Sequence, residues 1–144
     1  MTTNKVIYKE ESYRIVGCCF EIFNILGAGH REKTYQKALE EIFQLKKIDF
    51  KNQVYIPIKI SEKIIDKHFL DFVIYDKIAL EIKTGDHFHK RDIIQLHSYL
   101  KSGNLKLGIF FGLRNCELLS NFDGRKRFPQ SLSYSSGKER LEIR

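Results

Sequence analysis

The chain has 144 residues, 42% hydrophobic and 12% aromatic, which is enough to bury a core of its own. It carries 25 Lys and Arg against 18 Asp and Glu, a net charge of +7, which is compatible with a polyanionic partner because each phosphate contact releases condensed counterions. No stretch approaches the roughly 18 apolar residues of a membrane helix, and the N-terminal segment lacks the apolar core of a signal peptide. We therefore expect a cytoplasmic protein with no membrane partner.

Two amphipathic helices are predicted in the first third of the chain. The first covers 11–26 and ends at Gly27-Ala28-Gly29. Its apolar positions follow i, i+3, i+4, i+7 and i+10, at Val16, Cys19, Phe20, Phe23 and Leu26. The second is predicted over 31–47, with an apolar stripe formed by Tyr35, Ala38, Leu39, Ile42 and Phe43.

Strand patterns follow the two helices. Alternation over 54–60 predicts a strand, and Pro57, which cannot donate to a ladder, places it at a sheet edge or makes it irregular. Further strands are predicted up to about Tyr75 and over 78–83, then a helix over 89–101 and a strand over 106–111. The predicted order is α-α-β-β-β-α-β. The tail, 114–144, has no clear period, so strand, arm and disorder all stay open.

The polar residues inside the second and third strands select the register of their hairpin. A two-residue loop would mix polar and apolar side chains on both faces. A loop of three residues, Tyr75 to Lys77, segregates them, so we predict that register. One face then consists of Leu70, Phe72, Ile74, Ile78, Leu80 and Ile82, and the other of Asp71, Val73, Ala79, Glu81 and Lys83.

This register sets Asp71 opposite Glu81, with their Cβ atoms about 4.5–5.5 Å apart. Two carboxylates at this distance repel each other unless a cation lies between them. Mg²⁺ is commonly bound by one or two carboxylates plus waters. Lys83 lies on the same face, roughly 6.6–7 Å along the strand. The set is typical of metal-assisted phosphodiester hydrolysis. The alternative is a solvated salt-bridge cluster, each pair worth about 0–1 kcal/mol.

Five further residues support a site. Glu32 lies on the inward stripe of the second helix, although an acid in the first turn is also stabilised by the helix dipole. Gln95 and Tyr99 are four apart on the later helix and so share a face, although a polar flank would look the same. Lys90 and Arg91 can supply phosphate contacts near that helix, although a solvated face explains either one alone.

These motifs together resemble the GxxExxY proteins of the PD-(D/E)XK nuclease superfamily. Gly29, Glu32 and Tyr35 form the GxxExxY pattern, followed by a strand that ends in Asp71 and by Glu81-Ile82-Lys83 as the ExK. Gln95 and Tyr99 are similar to the QxxxY helix of RecB-like nucleases. The resemblance covers about 12–113, and it departs from the superfamily name at Leu70, where proline is expected.

The resemblance implies an α/β fold with a restriction-endonuclease-like αβββαβ core, in which a central mixed sheet is flanked by helices. It implies Mg²⁺ or Mn²⁺ held by Asp71, Glu81, the Ile82 carbonyl and Glu32, with Lys83 as the catalytic lysine. Gln95 and Tyr99 would line the site near the nucleic-acid backbone.

We therefore expect a single PD-(D/E)XK nuclease-like domain over 1–144, with its core at about 12–113. The expected activity is metal-dependent hydrolysis of phosphodiester bonds, and the resemblance favours DNA as the substrate. A homodimer is compatible with cutting two strands, but no segment indicates an interface. Two alternatives stay open: a non-catalytic module that binds nucleic acid or protein on the same fold, and a structural domain with a salt-bridged sheet face.

Overall fold

A computed structural model describes residues 8–85 and 90–112 with their side chains, and 116–120, 132–133 and 142–143 by backbone alone. Within these residues the helices are α1 (Lys9–Leu26), α2 (Glu32–Leu45) and α3 (Lys90–Ser102). No helix in this part of the chain is long and apolar enough to cross a membrane.

The predicted stripes pack against the core, although four of their residues, Phe20, Phe23, Leu26 and Ala38, are only half-buried. On α2 the buried side chains are Tyr35, Leu39, Ile42 and Phe43. The buried face of α1 also includes Ile15, Cys18 and Ile22, which lie beside the predicted stripe. This wider face indicates that α1 is covered by both the sheet and α2 rather than by one neighbour.

Five strands form one mixed sheet in the order β1-β2-β3-β4-β5. They are β1 (Phe50–Ile60), β2 (Lys63–Ile74), β3 (Ile78–Lys83), β4 (Leu107–Gly112) and β5 (Cys116–Ser120). The β3–β4 pair is parallel and the other pairs are antiparallel. The edge position predicted from Pro57 is confirmed, because β1 has only β2 as a neighbour.

The predicted αβββαβ order is confirmed, and one further strand of the sheet follows it. The segment expected to begin the tail supplies β5, which pairs antiparallel with β4, so the sheet extends to Ser120. Two further strands, β6 (Leu132–Ser133) and β7 (Glu142–Ile143), pair with each other. The rest of 114–144 lies outside the described residues, so the other predictions about the tail are not tested there.

Each face of the sheet carries its own core. Helices α1 and α2 cover the face that includes Phe72, Leu80 and Ile109. Helix α3 covers the opposite face, where Leu96 and Leu100 are buried with the sheet residues Ile56, Leu70, Val73, Ala79 and Phe110. The α/β class and the central mixed sheet flanked by helices are therefore confirmed.

The β2–β3 hairpin has the predicted register. Ile74 pairs with Ile78 and Phe72 with Leu80, which leaves a loop of three residues. Two of these, Tyr75 and Asp76, have positive φ of 55° and 57°. The Lys51 ammonium holds the Asp76 carboxylate at 2.8 Å.

The faces of β1 and β2 exchange at one position, which makes the prediction for Leu70 wrong. The ladder passes from Asn52–Phe72 to Val54–Leu70 and skips Gln53 and Asp71, and Gln53 has a left-handed φ of 49°. Before Asp71 the even-numbered residues of β2 face α3, and after it they face α1 and α2. Leu70 therefore packs in the α3-side core rather than with Phe72.

The same exchange defines an arm. The β2–β3 ladder covers only Phe72 to Ile74, so residues 63–70 of β2 pair with β1 alone. Because β2 and β3 are antiparallel, these residues continue past the end of β3 that carries Glu81 and Lys83. The arm thus forms one wall beside that end of the sheet.

Candidate active site

Asp71 and Glu81 hold β2 and β3 together where the ladder stops. Asp71 Oδ2 accepts a hydrogen bond of 2.9 Å from the Ile82 N–H. Glu81 Oε1 accepts one of 3.0 Å from the Asp71 N–H. Each carboxylate thus takes a backbone donor from the opposite strand. This crossed arrangement sets the two acids side by side, as the predicted register requires.

The negative charge of this acid pair is not neutralised by a nearby Lys or Arg in the described part of the chain. Burial, followed by the charge of Glu81, raises the pKa of Asp71 to about 7. The Glu32 carboxylate raises it further, and the Ile82 N–H and His68 only partly offset these effects. Within the described ranges, no Lys or Arg forms an ion pair with Asp71 or Glu81, and the basic group that pairs with Glu81 is His68, at 3.4 Å.

The loop before α2 places Glu32 at the same end of the sheet. Gly29 has φ of 96°, which an L side chain rarely adopts. The buried Tyr35 hydroxyl donates to the Gly27 carbonyl at 2.7 Å and accepts from the His30 N–H at 3.3 Å. The GxxExxY pattern therefore closes the loop on its own helix. Glu32, the first residue of α2, can then reach β3.

Glu32 contacts the residue that follows β3. Its Oε1 accepts from the Thr84 N–H at 3.3 Å and from the Thr84 hydroxyl at 3.5 Å. The sequence did not indicate Thr84 as a partner, because it lies beyond the last apolar residue of β3. The contact fixes Glu32 at the end of β3, within electrostatic range of Asp71.

A cleft between β3, α3 and the arm brings the remaining candidates together. Its walls are formed by His68, Glu81, Lys83, Asp92, Gln95, Leu96, Tyr99 and Phe110. Lys83 makes no ion pair with an acid among the residues that the structure describes. This observation disfavours a salt-bridged sheet face. Burial, then Asp66 and Glu81, raise the pKa of Tyr99, so its hydroxyl stays a neutral donor.

Other candidates lie at the margin of the cleft. Lys90 and Arg91 are exposed at the start of α3 and do not line the cleft. Ile82 is buried, and its N–H is used by Asp71. The segment that precedes α3, 86–89, lies outside the described residues.

Sequence reasoning missed His68 and Asp92. Regular alternation would put His68 and Asp71 on opposite sides of β2, because they are three residues apart. The exchange of faces at Gln53 and Asp71 removes that separation. Apart from the polar residues themselves, no pattern in the sequence predicts such an exchange. Asp92 lies in the first turn of α3, where an acid is common for another reason.

The donor set fits a hard divalent ion at the Asp71–Glu81 pair. Among residues 8–85 and 90–112, no three His, Cys, Asp or Glu side chains form a group that could hold a metal ion. Mg²⁺ is usually bound by one or two carboxylates and several waters, so a third side chain is not required. Each acid of the pair gives one oxygen to the protein, and neither second oxygen has a hydrogen bond to the described residues.

A comparison with protein families matches residues 9–122 to the PD-(D/E)XK nuclease superfamily. The chain belongs to this superfamily. No curated protein and no solved structure matches the chain. The PD-(D/E)XK match runs from the start of α1 past β5, which places β5 inside the family segment. Proteins of this superfamily are generally hydrolytic nucleases, which indicates nucleic acid as the class of substrate.

Proposed function

We propose that this PD-(D/E)XK protein is a divalent-metal-dependent nuclease that hydrolyses phosphodiester bonds in DNA. The observation that carries the proposal is the crossed pair of Asp71 and Glu81. Two partly buried acids, each fixed by the other strand, face one another with no Lys or Arg between them in the described part of the chain. A binding module has no use for acids that repel phosphate at this place.

The metal would be Mg²⁺ or Mn²⁺, held by Asp71 and Glu81 with the Ile82 carbonyl as a further oxygen donor. When bound, such an ion polarises the phosphoryl oxygen and lowers the pKa of water. Glu32 would add negative charge to the site, since it lies within electrostatic range of Asp71. Its bond to Thr84 supports a role in holding water rather than in direct coordination.

Lys83 supplies the positive charge that the reaction needs. It lines the cleft with Glu81 and makes no ion pair within the described part of the chain. Its ammonium is thus available to neutralise charge that develops on a phosphoryl oxygen or to orient the attacking water. Gln95 and Tyr99 line the same cleft and would donate hydrogen bonds to the nucleic-acid backbone.

Two finer assignments rest on motifs. The Gly29, Glu32 and Tyr35 pattern supports the GxxExxY group, because each of its three residues has a role here. Gly29 has the positive φ of the loop, Glu32 is the acid, and the Tyr35 hydroxyl bonds the loop to α2. Gln95 and Tyr99 support a RecB-like subtype. We also propose a single domain over 1–144, a cytoplasmic location and, for cleavage of both strands, a homodimer.

The test combines metal binding with cleavage. With Mn²⁺ or Mg²⁺ the wild type should gain thermal stability and cut plasmid or single-stranded DNA. Asp71→Asn should lose both effects. Lys83→Ala should keep the metal-induced rise in melting temperature and lose cleavage by about 100-fold or more, since such charge stabilisation is typically worth that much.

Other outcomes would point elsewhere. Metal stabilisation without cleavage of DNA or RNA would support the non-catalytic module. Cleavage of RNA alone would retain the nuclease and reject DNA. Wild-type cleavage that persists fully in Lys83→Ala would remove the role assigned to that lysine.

A further inference from the structure

His68 makes two specific contacts in the cleft. Its Nε2 lies 3.4 Å from Glu81 Oε1. Its ring is stacked on the Tyr99 ring, with centroids 3.8 Å apart and planes at 5°. The His68 side chain is 29% exposed and that of Glu81 12%, so both contacts are shielded from most of the solvent. One side chain of the arm therefore joins β3 to α3.

The contact with Glu81 fixes the orientation of its carboxylate. A ring nitrogen that faces a carboxylate oxygen carries the proton, so we assign the donor to Nε2. Glu81 Oε1 then accepts from both His68 and the Asp71 N–H. Both protein donors lie on one oxygen. The other, Oε2, is directed by the same two bonds and has no hydrogen bond to the described residues.

The contact with Tyr99 fixes the other wall of the cleft. Parallel rings at this separation restrict the tyrosine to one orientation, and an aromatic pair contributes about 0.5–1.5 kcal/mol. Tyr99 is four residues after Gln95 on α3, and both line the cleft. The stack thus sets where the Tyr99 hydroxyl points relative to Glu81.

We propose that His68 is a positioning residue that aligns a metal-binding carboxylate with a substrate-binding tyrosine. The inference rests on the proposed function, since it assigns Glu81 to the metal and Tyr99 to the nucleic-acid backbone. A partner that orients a metal ligand typically changes metal affinity about 10- to 100-fold when it is removed. A side chain that only fills space would change the melting temperature alone.

The two contacts can be removed separately. His68→Phe keeps a ring for the stack and removes the Nε2 donor. We expect its dissociation constant for Mn²⁺, measured by electron paramagnetic resonance without DNA, to rise about 10-fold, with little change in the KM for DNA. His68→Gln keeps an N–H donor and removes the stack. We expect near-normal Mn²⁺ affinity and a KM raised about 2- to 10-fold.

The control is His97→Phe, the same substitution on α3 at a half-buried residue that does not line the cleft. It should leave both constants unchanged. If His68→Phe does not fold, His68→Leu serves as a second variant without a donor, and circular dichroism establishes which variants are folded.

The outcomes separate this inference from the function on which it depends. Folded His68 variants with wild-type Mn²⁺ affinity and KM would overturn the role of His68 and leave the nuclease intact. A wild type that neither binds Mn²⁺ nor cleaves nucleic acid would overturn both. An equal loss of affinity in His97→Phe would show that the effect is not specific to the two contacts.

Discussion

Tyr35 shows how a single buried side chain prepares the site from a distance. Its hydroxyl bonds the Gly27 carbonyl, and its ring stacks on Phe23 with centroids 5.0 Å apart. The loop that this closes leads directly into Glu32. Tyr35 therefore stabilises the fold and sets the start of α2 without contacting the cleft.

Tyr35→Phe should destabilise the protein by about 0.5–1.5 kcal/mol, because the hydrogen bond from its hydroxyl to the Gly27 carbonyl is lost. Urea denaturation should show a lower midpoint with an unchanged m-value. Tyr13→Phe is the matched control, since Tyr13 is 43% exposed, and it should change stability by less than about 0.5 kcal/mol. Equal effects would contradict the role of the hydroxyl.

Asp71 makes the stability of the metal-free protein depend on pH. Its pKa is raised to about 7 in the fold, against an ordinary value of 3.8, so the folded state holds the proton more tightly than the unfolded state. Its contribution is fully present below about pH 4 and is lost as the pH rises to 7.

In the presence of a chelator, the free energy of unfolding of the wild type should fall by about 1 kcal/mol or more between pH 5 and 8, relative to that of Asp71→Asn. Each tenfold change in proton affinity is worth about 1.4 kcal/mol. Melting curves in the presence of a chelator measure this. The exposed Asp66→Asn is the control on the same strand. A constant difference between wild type and Asp71→Asn across this range would refute the prediction.

At the scale of elements, the exchange of faces at Gln53 determines which side chains of the arm reach the cleft. Val54 and Leu70 pack under α3, whereas Phe50 and Phe72 pack under α2. The left-handed φ at Gln53 costs about 1–2 kcal/mol for a residue with a Cβ. The fold accepts this cost where β1 pairs with the strand that carries Asp71.

Gln53→Gly should therefore be neutral or stabilising by up to about 1 kcal/mol, whereas Gln53→Val should destabilise by more than about 1 kcal/mol. The opposite order is expected at Lys67, an exposed residue of β2 without a left-handed φ. There glycine should cost about 0.5–1 kcal/mol. Denaturation midpoints of the four variants settle the comparison, and the same order at both positions would contradict it.

The sequence predicted this part of the fold up to the exchange and no further. The β2–β3 register followed from the apolar residues between Phe72 and Ile82, because a slip would reverse every side chain. The face of Leu70 and the position of His68 could not be predicted in this way. One residue with a left-handed φ interrupts the alternation, and a Gln in the sequence does not indicate a left-handed φ. The β3 bounds were predicted residue for residue.

At the scale of the molecule, the charge of +7 is a property of the surface, and the acids of the site work against it locally. Lys90 and Arg91 are exposed at the start of α3, close in sequence to the cleft residue Asp92. We expect nucleic acid in the cleft to contact these two residues through its phosphates. The roles of these two residues stay predictions until binding is measured.

Lys90→Ala and Arg91→Ala should each weaken DNA binding and lower the slope of log affinity against log salt by about 1. Lys37→Ala, on the exposed face of α2, removes the same charge elsewhere and should leave the slope unchanged. Fluorescence anisotropy with Ca²⁺ in place of Mg²⁺ measures the three slopes. Equal slopes for all three variants would show that only total charge matters.

The extent of the sheet was the least predictable feature of the whole chain. The order of the seven elements from α1 to β4 followed from the helix and strand periods of residues that pack in the two cores. The sequence left β5 undecided because its five residues pair at an edge, where polar and apolar side chains are both tolerated and no period is enforced.

The crossed bonds of Asp71 and Glu81 decide how an inert form of the protein should be made. Replacing either acid by alanine would remove a hydrogen bond between β2 and β3 as well as the chemistry, so a failure to retain a ligand would be ambiguous. Lys83 fastens nothing in the described part of the chain. A protein with alanine at that one position should keep its shape and serve as bait, holding an uncut natural substrate long enough for its identity to be read.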